Sequence, residues 1–281
     1  MRYPTVIGHR GSLYKSLENT RHSFLTAAND GAHGIELDVF LLKCGSLVVF
    51  HGTGTDEVPG HLQDYCNIDG SILDYTAEEA RHFKFNHLFE EFPSSVDIMK
   101  NADEYYIPLL KDVLLDAKAT GVTVKIELKG PNTSDPVLEL VEQLGMVDQC
   151  HYSSFDHLKI KRIRELRPEK NPNGTHRYRT GALFNEVPEN FIEIAKDVGA
   201  SEIHLRYDTC TSDRVSAVHD AGMDSMCWMR GPRGMKSDIE HRFHDVWSED
   251  EKMYHTILSS GVKGMCVNKP WLLSKMLKPL Q

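Results

Sequence analysis

Short apolar runs alternate along the chain with longer stretches in which apolar positions recur every three or four residues, and that alternation predicts strands and amphipathic helices in turn. Eight strands are expected, at Thr5–Gly8, Gly34–Leu41, Thr123–Leu128, Gln149–Ser154, Thr180–Phe184, Glu202–Leu205, Ser225–Met229 and Gly264–Val267. The helices between them carry start and stop signals. Val137, Leu140, Val141 and Leu144 share one face, preceded by Ser134-Asp135-Pro136 and ended by Gly145. Leu110, Val113, Leu114 and Ala117 make a similar face before Gly121, as do Val215 and Val218 before Gly222. Eight strand–helix units of this kind close into a TIM (β/α)8 barrel, an α/β fold.

Two regions break the rhythm. Lys43-Cys44-Gly45-Ser46 reads as a tight turn that returns Leu47–His51 alongside the second strand. The stretch that follows, about residues 52–106, has little periodicity and is too long for an ordinary barrel connection, so it is read as an insertion over the barrel mouth. Residues 230–250 form a second irregular stretch that could supply another lid or wall. With no internal repeat or low-complexity linker, residues 1–281 are expected to form a single barrel domain.

Composition narrows the partners more than it changes the fold. A 40% hydrophobic chain of 281 residues can bury one large core, and a net charge of −9 argues against nucleic acid or an anionic membrane as the main partner. No run approaches the length of an integral membrane segment, and no leader pattern opens the chain, so a soluble, cytoplasmic protein is expected. The six cysteines are scattered, and Cys150, Cys227 and Cys266 fall in or beside apolar runs as reduced core residues. Two glycosylation-type triplets, at Asn132 and Asn173, are too short to establish secretion. Nothing in the sequence addresses oligomeric state.

Candidate chemistry gathers at the strand ends. Glu36 and Asp38 are two apart, so on a strand both point to one face and can grip one cation, and Glu127 with Lys129 repeats the arrangement. Hard carboxylate oxygens favour Mg2+ or Ca2+. Burying two such acids together is costly without countercharge, whether from a cation or from Arg10 and Lys129 as ion pairs. His9 and His51 offer proton transfer, while Arg10 and Lys129 offer charge for an anion. His9 could instead be a satisfied histidine bonded to backbone at a strand end; its companions favour catalysis. The set suits cleavage of a phosphodiester without a protein nucleophile, and Gly-x-Ser-x-Gly, the P-loop and His-Glu-x-x-His are all absent. His157-Leu158-Lys159 begins a phospholipase D motif but lacks its later Asp.

These residues, in this order, resemble the glycerophosphodiester phosphodiesterase family. The resemblance rests on Gly8-His9-Arg10-Gly11, Glu18-Asn19-Thr20, Ile35-Glu36-Leu37-Asp38-Val39, Val48-Val49-Phe50-His51, Ile126-Glu127-Leu128-Lys129 and Ser153-Ser154-Phe155-Asp156, and runs to Pro270. It implies a PI-PLC-like phosphodiesterase barrel with an insertion after the second strand. It also implies a metal-dependent enzyme of lipid and glycerol metabolism that hydrolyses glycerophosphodiesters, small molecules, to an alcohol and sn-glycerol 3-phosphate. In the family a hydroxyl of the substrate's glycerol attacks phosphorus, and water then opens the cyclic phosphate. The resemblance thus casts His9 and His51 as the acid–base pair, Glu36, Asp38 and Glu127 as metal ligands, Arg10 and Lys129 as phosphate contacts, and Trp228 as a wall for the glycerol or headgroup. The sequence leaves open which histidine starts as base; His9 as base and His51 as acid is the expected order.

Some positions depart from the family pattern. Gly52 stands where an Asp commonly follows the second histidine, leaving Asp56 as a possible substitute, Lys111 replaces an acid, and Asn268 replaces an Asp in Val267-Asn268-Lys269-Pro270. Two other readings stay open: a lysophospholipase D or sphingomyelinase D type phosphodiesterase, which a more apolar mouth would favour, and a catalytically silent barrel that binds phosphate-bearing ligands.

Overall fold

The structure is a computed structural model that describes residues 4–53, 59–85, 105–232 and 244–278. Eight parallel strands form a closed barrel: β1 (Thr5–Gly8), β2 (Gly34–Leu41), β4 (Thr123–Leu128), β5 (Cys150–Ser154), β6 (Arg179–Phe184), β7 (Glu202–Arg206), β8 (Asp224–Trp228) and β9 (Gly264–Val267), with β1 pairing to both β9 and β2. The helices outside it include α1 (Arg21–Asn29), α4 (Leu110–Thr120), α5 (Ser134–Gln143), α6 (His157–Leu166), α7 (Phe191–Asp197), α8 (Ser212–Asp220), α9 (Glu251–Ser259) and α10 (Pro270–Leu277). This is the expected TIM barrel, with strand ends moved by a residue at β5, β6, β7 and β8.

Strand alternation sorts the two faces. Ile35, Leu37 and Val39 of β2, Val124, Ile126 and Leu128 of β4, and Ile203 and Leu205 of β7 turn outward into one core with the helices, among them Leu110, Val113, Leu114 and Ala117 of α4. The intervening positions point into the barrel. There Glu36, Asp38, Lys125, Glu127, Glu202 and His204 are all buried, beside a small apolar cluster of Ile7, Met226 and Cys266. On α5 the buried face is Val137, Leu138 and Val141, with Leu140 and Leu144 at its margin, and the helix starts at Ser134 with Thr133 as N-cap.

The hairpin turns back as expected. β3 (Leu47–Val49) runs antiparallel to β2, pairing Val39 with Val49 and Leu41 with Leu47. Strand β1 pairs only with Gly34 and Ile35 of β2, so β3 takes the edge that β1 leaves and raises this side of the barrel. Of the inserted stretch, residues 59–85 contain α2 (Gln63–Cys66), a 3-10 turn (Ile72–Asp74) and α3 (Ala77–Arg81). Leu62, Tyr65, Cys66, Ile72 and Ala80 form a second core there with Leu13, Leu17, Phe40, Val48 and Phe50. Residues 54–58, 86–104 and 233–243, which include Asp56 and the middle of the second irregular stretch, lie outside the described residues. All six cysteines are free, and Cys150, Cys227 and Cys266 are buried. Among the described residues no helix is long and apolar enough to cross a membrane.

Candidate active site

The turn after β1 is built to aim Arg10. Gly11 adopts a positive φ of 95°, where a Cβ would strike Ser23, and Arg10 itself sits at φ 51°. That left-handed backbone is uncommon for arginine and is over-determined here. The Arg10 N–H donates to Glu36 Oε2 at 3.1 Å, and its carbonyl accepts from Asn19 N at 3.0 Å and Ser23 Oγ at 3.1 Å. The guanidinium turns the other way, donating from Nη1 to Glu18 Oε1 at 2.8 Å and lying 3.5 Å from Asp38. Tyr65, from the inserted stretch, also donates to Glu18 Oε1, at 3.0 Å. Gly231 lies against the guanidinium, where a Cβ would stand 2.9 Å from Arg10 Cζ. Burial works against the Arg10 charge, but Glu18 and Asp38 hold its proton more firmly than usual.

Three acids meet at the mouth. Asp38 and Glu127 are register partners on β2 and β4, and Glu36 lies two residues earlier on the same face as Asp38. Carboxylate oxygens of Glu36, Asp38 and Glu127 all lie within 4.8 Å of one another. Both β2 acids lie in the middle of that strand rather than at its end, because the hairpin lengthens β2 beyond the barrel rim. Burial, together with Asp38 and Glu127, raises the Glu36 carboxyl well above the usual range, and burial with Asp38 raises Glu127 against the pull of Lys129. Lys129 Nζ is 3.0 Å from Glu127 and 3.6 Å from Asp38. One ammonium and one guanidinium leave this cluster short of countercharge, and its hard oxygens fit a divalent cation.

The histidines flank the acids. His9 Nε2 lies 3.9 Å from Glu36 Oε2, and its Nδ1 lies 2.8 Å from Asn268 Oδ1. Burial and Arg10 push His9 down to about 3, with the Asn268 contact opposing them. His51 follows the hairpin strand, and its Nδ1 donates to Gly52 O. A backbone carbonyl therefore orients His51 where an acid had been sought at Asp56. Burial, with Arg10 and Lys129, holds His51 well below its ordinary value. A cleft of about 740 Å3 opens here, lined by His51, Glu127 and Lys129 and by Phe40, Leu73, Pro131 and Phe155.

Seven of the eight residues singled out in the sequence thus share one mouth; Trp228 stands apart from the ion-pair cluster. It packs on Ile7, Met226 and Cys266 and meets Phe155 edge-on, with ring centroids 5.5 Å apart, so it reaches the cleft only through Phe155. His157 and Lys159 start α6; His157 Nε2 donates to Leu183 O at 2.8 Å, a structural bond. The sequence reading gave no role to Glu18, Asn19, Tyr65, Gly231 or Glu249. Asn19 holds Asp38, with Nδ2 donating to Oδ2 at 2.8 Å. Glu249 is buried behind Asn268, and burial pushes it up to about 7 against its bonds from Tyr254 and Asn268. Asn19 stood inside a matched motif, but nothing local marks Glu249.

Solved proteins share this architecture. A phosphodiesterase from Oleispira antarctica, in complex with the product sn-glycerol-3-phosphate, superposes with a TM-score of 0.76 at 20% identity, covering 98% of this chain and 97% of that one. A glycerophosphodiester phosphodiesterase from Agrobacterium tumefaciens does so with a TM-score of 0.71 at 22% identity, covering 97% and 99%. These likenesses establish the fold class, a TIM barrel. The chain belongs to the glycerophosphoryl diester phosphodiesterase family, whose model matches residues 9–272. Among curated relatives, glycerophosphodiester phosphodiesterases of Bacillus altitudinis and Caldanaerobacter subterraneus subsp. tengcongensis are 34% identical over 169 residues and 30% over 168, each 58% of this chain. Those alignments span 62% and 63% of the relatives' own lengths.

Proposed function

We propose that this chain hydrolyses glycerophosphodiesters to an alcohol and sn-glycerol 3-phosphate. The observation that carries the reading is the triad of buried carboxylates, within 4.8 Å of one another, flanked by His9, Arg10 and Lys129. Glu36, Asp38 and Glu127 would hold the divalent cation, Mg2+ or Ca2+, which when bound polarises a phosphoryl oxygen and offsets charge developing there. Arg10 and Lys129 bind the phosphate and exchange part of their pairing with Asp38 and Glu127 for it. One imidazole takes the proton of the substrate's glycerol hydroxyl as its oxygen attacks phosphorus, and the other protonates the leaving alkoxide as the second P–O bond breaks. Water then opens the cyclic phosphate with the roles reversed. Burial disfavours the charged form of both histidines, and the phosphodiester's negative charge raises the proton affinity of the one that acts as acid.

In this reading residues 1–281 are one barrel domain with an insertion at about 52–106, of which the described residues 59–85 wall the mouth, since Gly60 and Leu73 line the cleft and Tyr65 supports Glu18. The six free thiols favour a reducing, cytoplasmic setting. The apolar cleft lining of Phe40, Leu73, Pro131 and Phe155 favours one second reading, a lysophospholipase D type enzyme with an acyl chain along that wall. A substrate panel separates the two. Glycerophosphocholine and lysophosphatidylcholine are incubated with the wild type and with His9→Ala as blank. Cleavage of the first to sn-glycerol 3-phosphate is expected. Cleavage of lysophosphatidylcholine alone supports the second reading, and cleavage of neither overturns both.

A further inference from the structure

Behind His9 runs a buried chain of hydrogen bonds. Asn268, just beyond β9, and Glu249, just ahead of α9, are 0% and 1% exposed. An imidazole nitrogen can donate or accept, so the 2.8 Å contact between His9 Nδ1 and Asn268 Oδ1 does not by itself place the proton. The far end of the amide does. Asn268 Nδ2 donates to Arg230 O at 2.7 Å and to Glu249 Oε1, and a carbonyl and a carboxylate only accept. The oxygen of the amide must therefore face His9, Nδ1 must carry the proton, and the Nε2 lone pair is left turned to the acid cluster, 3.9 Å from Glu36.

Glu249 is anchored in its turn. Its Oε2 accepts from the Asn268 backbone N–H at 3.1 Å and from the Tyr254 hydroxyl. The Lys269 ammonium ties down the surrounding chain, donating to Glu249 O at 2.7 Å and Trp247 O at 3.0 Å. A carboxyl with no contact to the metal-binding acids is thus kept in the interior, where it is costly unless it is fully bonded.

We propose that Glu249 and Asn268 are positioning residues that hold His9 in the tautomer with Nε2 unprotonated, the form in which it can serve as the base of the first step. The assignment deepens the phosphodiesterase reading and rests on it. Oriented histidines of this kind depend on the partner at the other nitrogen, and loss of such partners characteristically costs about 10- to 100-fold. Glu249→Gln keeps the shape but sets an amide N–H2 against a donor whichever way it turns, so it releases the Asn268 amide. Asn268→Leu removes the acceptor outright.

The test combines long-range 1H–15N spectra of the imidazoles, with the His9 signals assigned from His9→Gln, and steady-state kinetics on glycerophosphocholine. The wild type should show His9 protonated at Nδ1 alone. Glu249→Gln and Asn268→Leu should show mixed tautomers, with kcat down about 10- to 100-fold and KM within about twofold. A wild-type His9 protonated at Nε2 overturns the proposal, as do variants that lose thermal stability yet keep the wild-type tautomer and kcat. If Asn268→Leu does not fold, the wild-type spectrum and Glu249→Gln decide. If the wild type hydrolyses nothing, the functional reading fails while the spectra still settle the tautomer.

Discussion

Asn19 clamps Asp38 with both ends of its amide: Nδ2 donates to Oδ2 at 2.8 Å, and Oδ1 accepts from the Asp38 backbone N–H at 3.3 Å. The clamp fixes the carboxylate before any ligand arrives. It works only because Asn19 adopts φ 56°, a left-handed backbone that asparagine tolerates better than most residues. Asn19→Gly keeps that backbone and deletes the clamp. Cation affinity by titration calorimetry should fall about tenfold, in line with loss of a partner that orients a ligand. Unchanged affinity would place Asp38 outside the cation site.

Cation binding should be coupled to proton release. Burial and mutual repulsion raise Glu36 and Glu127 above the ordinary carboxylate range, so the cation-free site retains protons that an incoming cation must displace. The sign follows directly. Apparent affinity should rise as pH is raised through and above the ordinary carboxylate range, with protons released on binding, and calorimetry in buffers of different ionisation enthalpy measures both. An affinity that falls with pH would contradict the raised carboxyls.

Gly231 is the floor on which the Arg10 guanidinium lies. Gly231→Val should push the guanidinium aside and raise KM about tenfold with little change in kcat, the equivalent of one charge-assisted hydrogen bond of about 1.5 kcal/mol. Steady-state kinetics decide it; an unchanged KM would show that the guanidinium does not bind substrate.

Deeper in the barrel, Glu202 accepts from Lys125, with His151 at 2.8 Å, His204 at 3.1 Å and Arg179 at 3.3 Å. Burial opposes the Glu202 charge, but Lys125 and His151 overrule it and hold the carboxyl well below its usual range. A depressed acid contributes stability that is present above its unfolded value and lost as pH falls through the folded one. Glu202→Gln should therefore cost about 3 kcal/mol in denaturant unfolding at neutral pH and lessen the loss of stability expected as pH falls below 4.5. The Lys125→Met/Glu202→Gln pair should cost less than the sum of its parts. Additive effects would mean that the two residues do not interact.

Much of this was legible in the chain because the barrel's signals are local. The alternation Ile35-Glu36-Leu37-Asp38-Val39 puts aliphatic residues under the helices and acids in the lumen, and a short-period pattern of that kind survives without tertiary information. Helix faces were equally plain, apart from Leu138, which is buried beside Val137 and Val141 while Leu140 and Leu144 sit at the margin. The support of the site was not legible. Glu18 and Tyr65 are 47 residues apart and His9 and Asn268 are 259 apart, so what His9 and the Arg10–Glu18 pair lean on is decided by tertiary folding, whereas His51 leans on its neighbour Gly52. The mid-strand position of Glu36 and Asp38, by contrast, was already contained in the expected strand Gly34–Leu41 and its hairpin.

The most direct test follows sn-glycerol 3-phosphate release from glycerophosphocholine and glycerophosphoethanolamine by protein stripped with EDTA and then titrated with Mg2+ or Ca2+, alongside Glu36→Gln, which removes one of the three clustered carboxylates. The account predicts no release from stripped protein, recovery with one of the two cations, and recovery lost or shifted to far higher cation concentration in the variant. Full release from stripped protein, or a Glu36→Gln variant that matches the wild type, would contradict it.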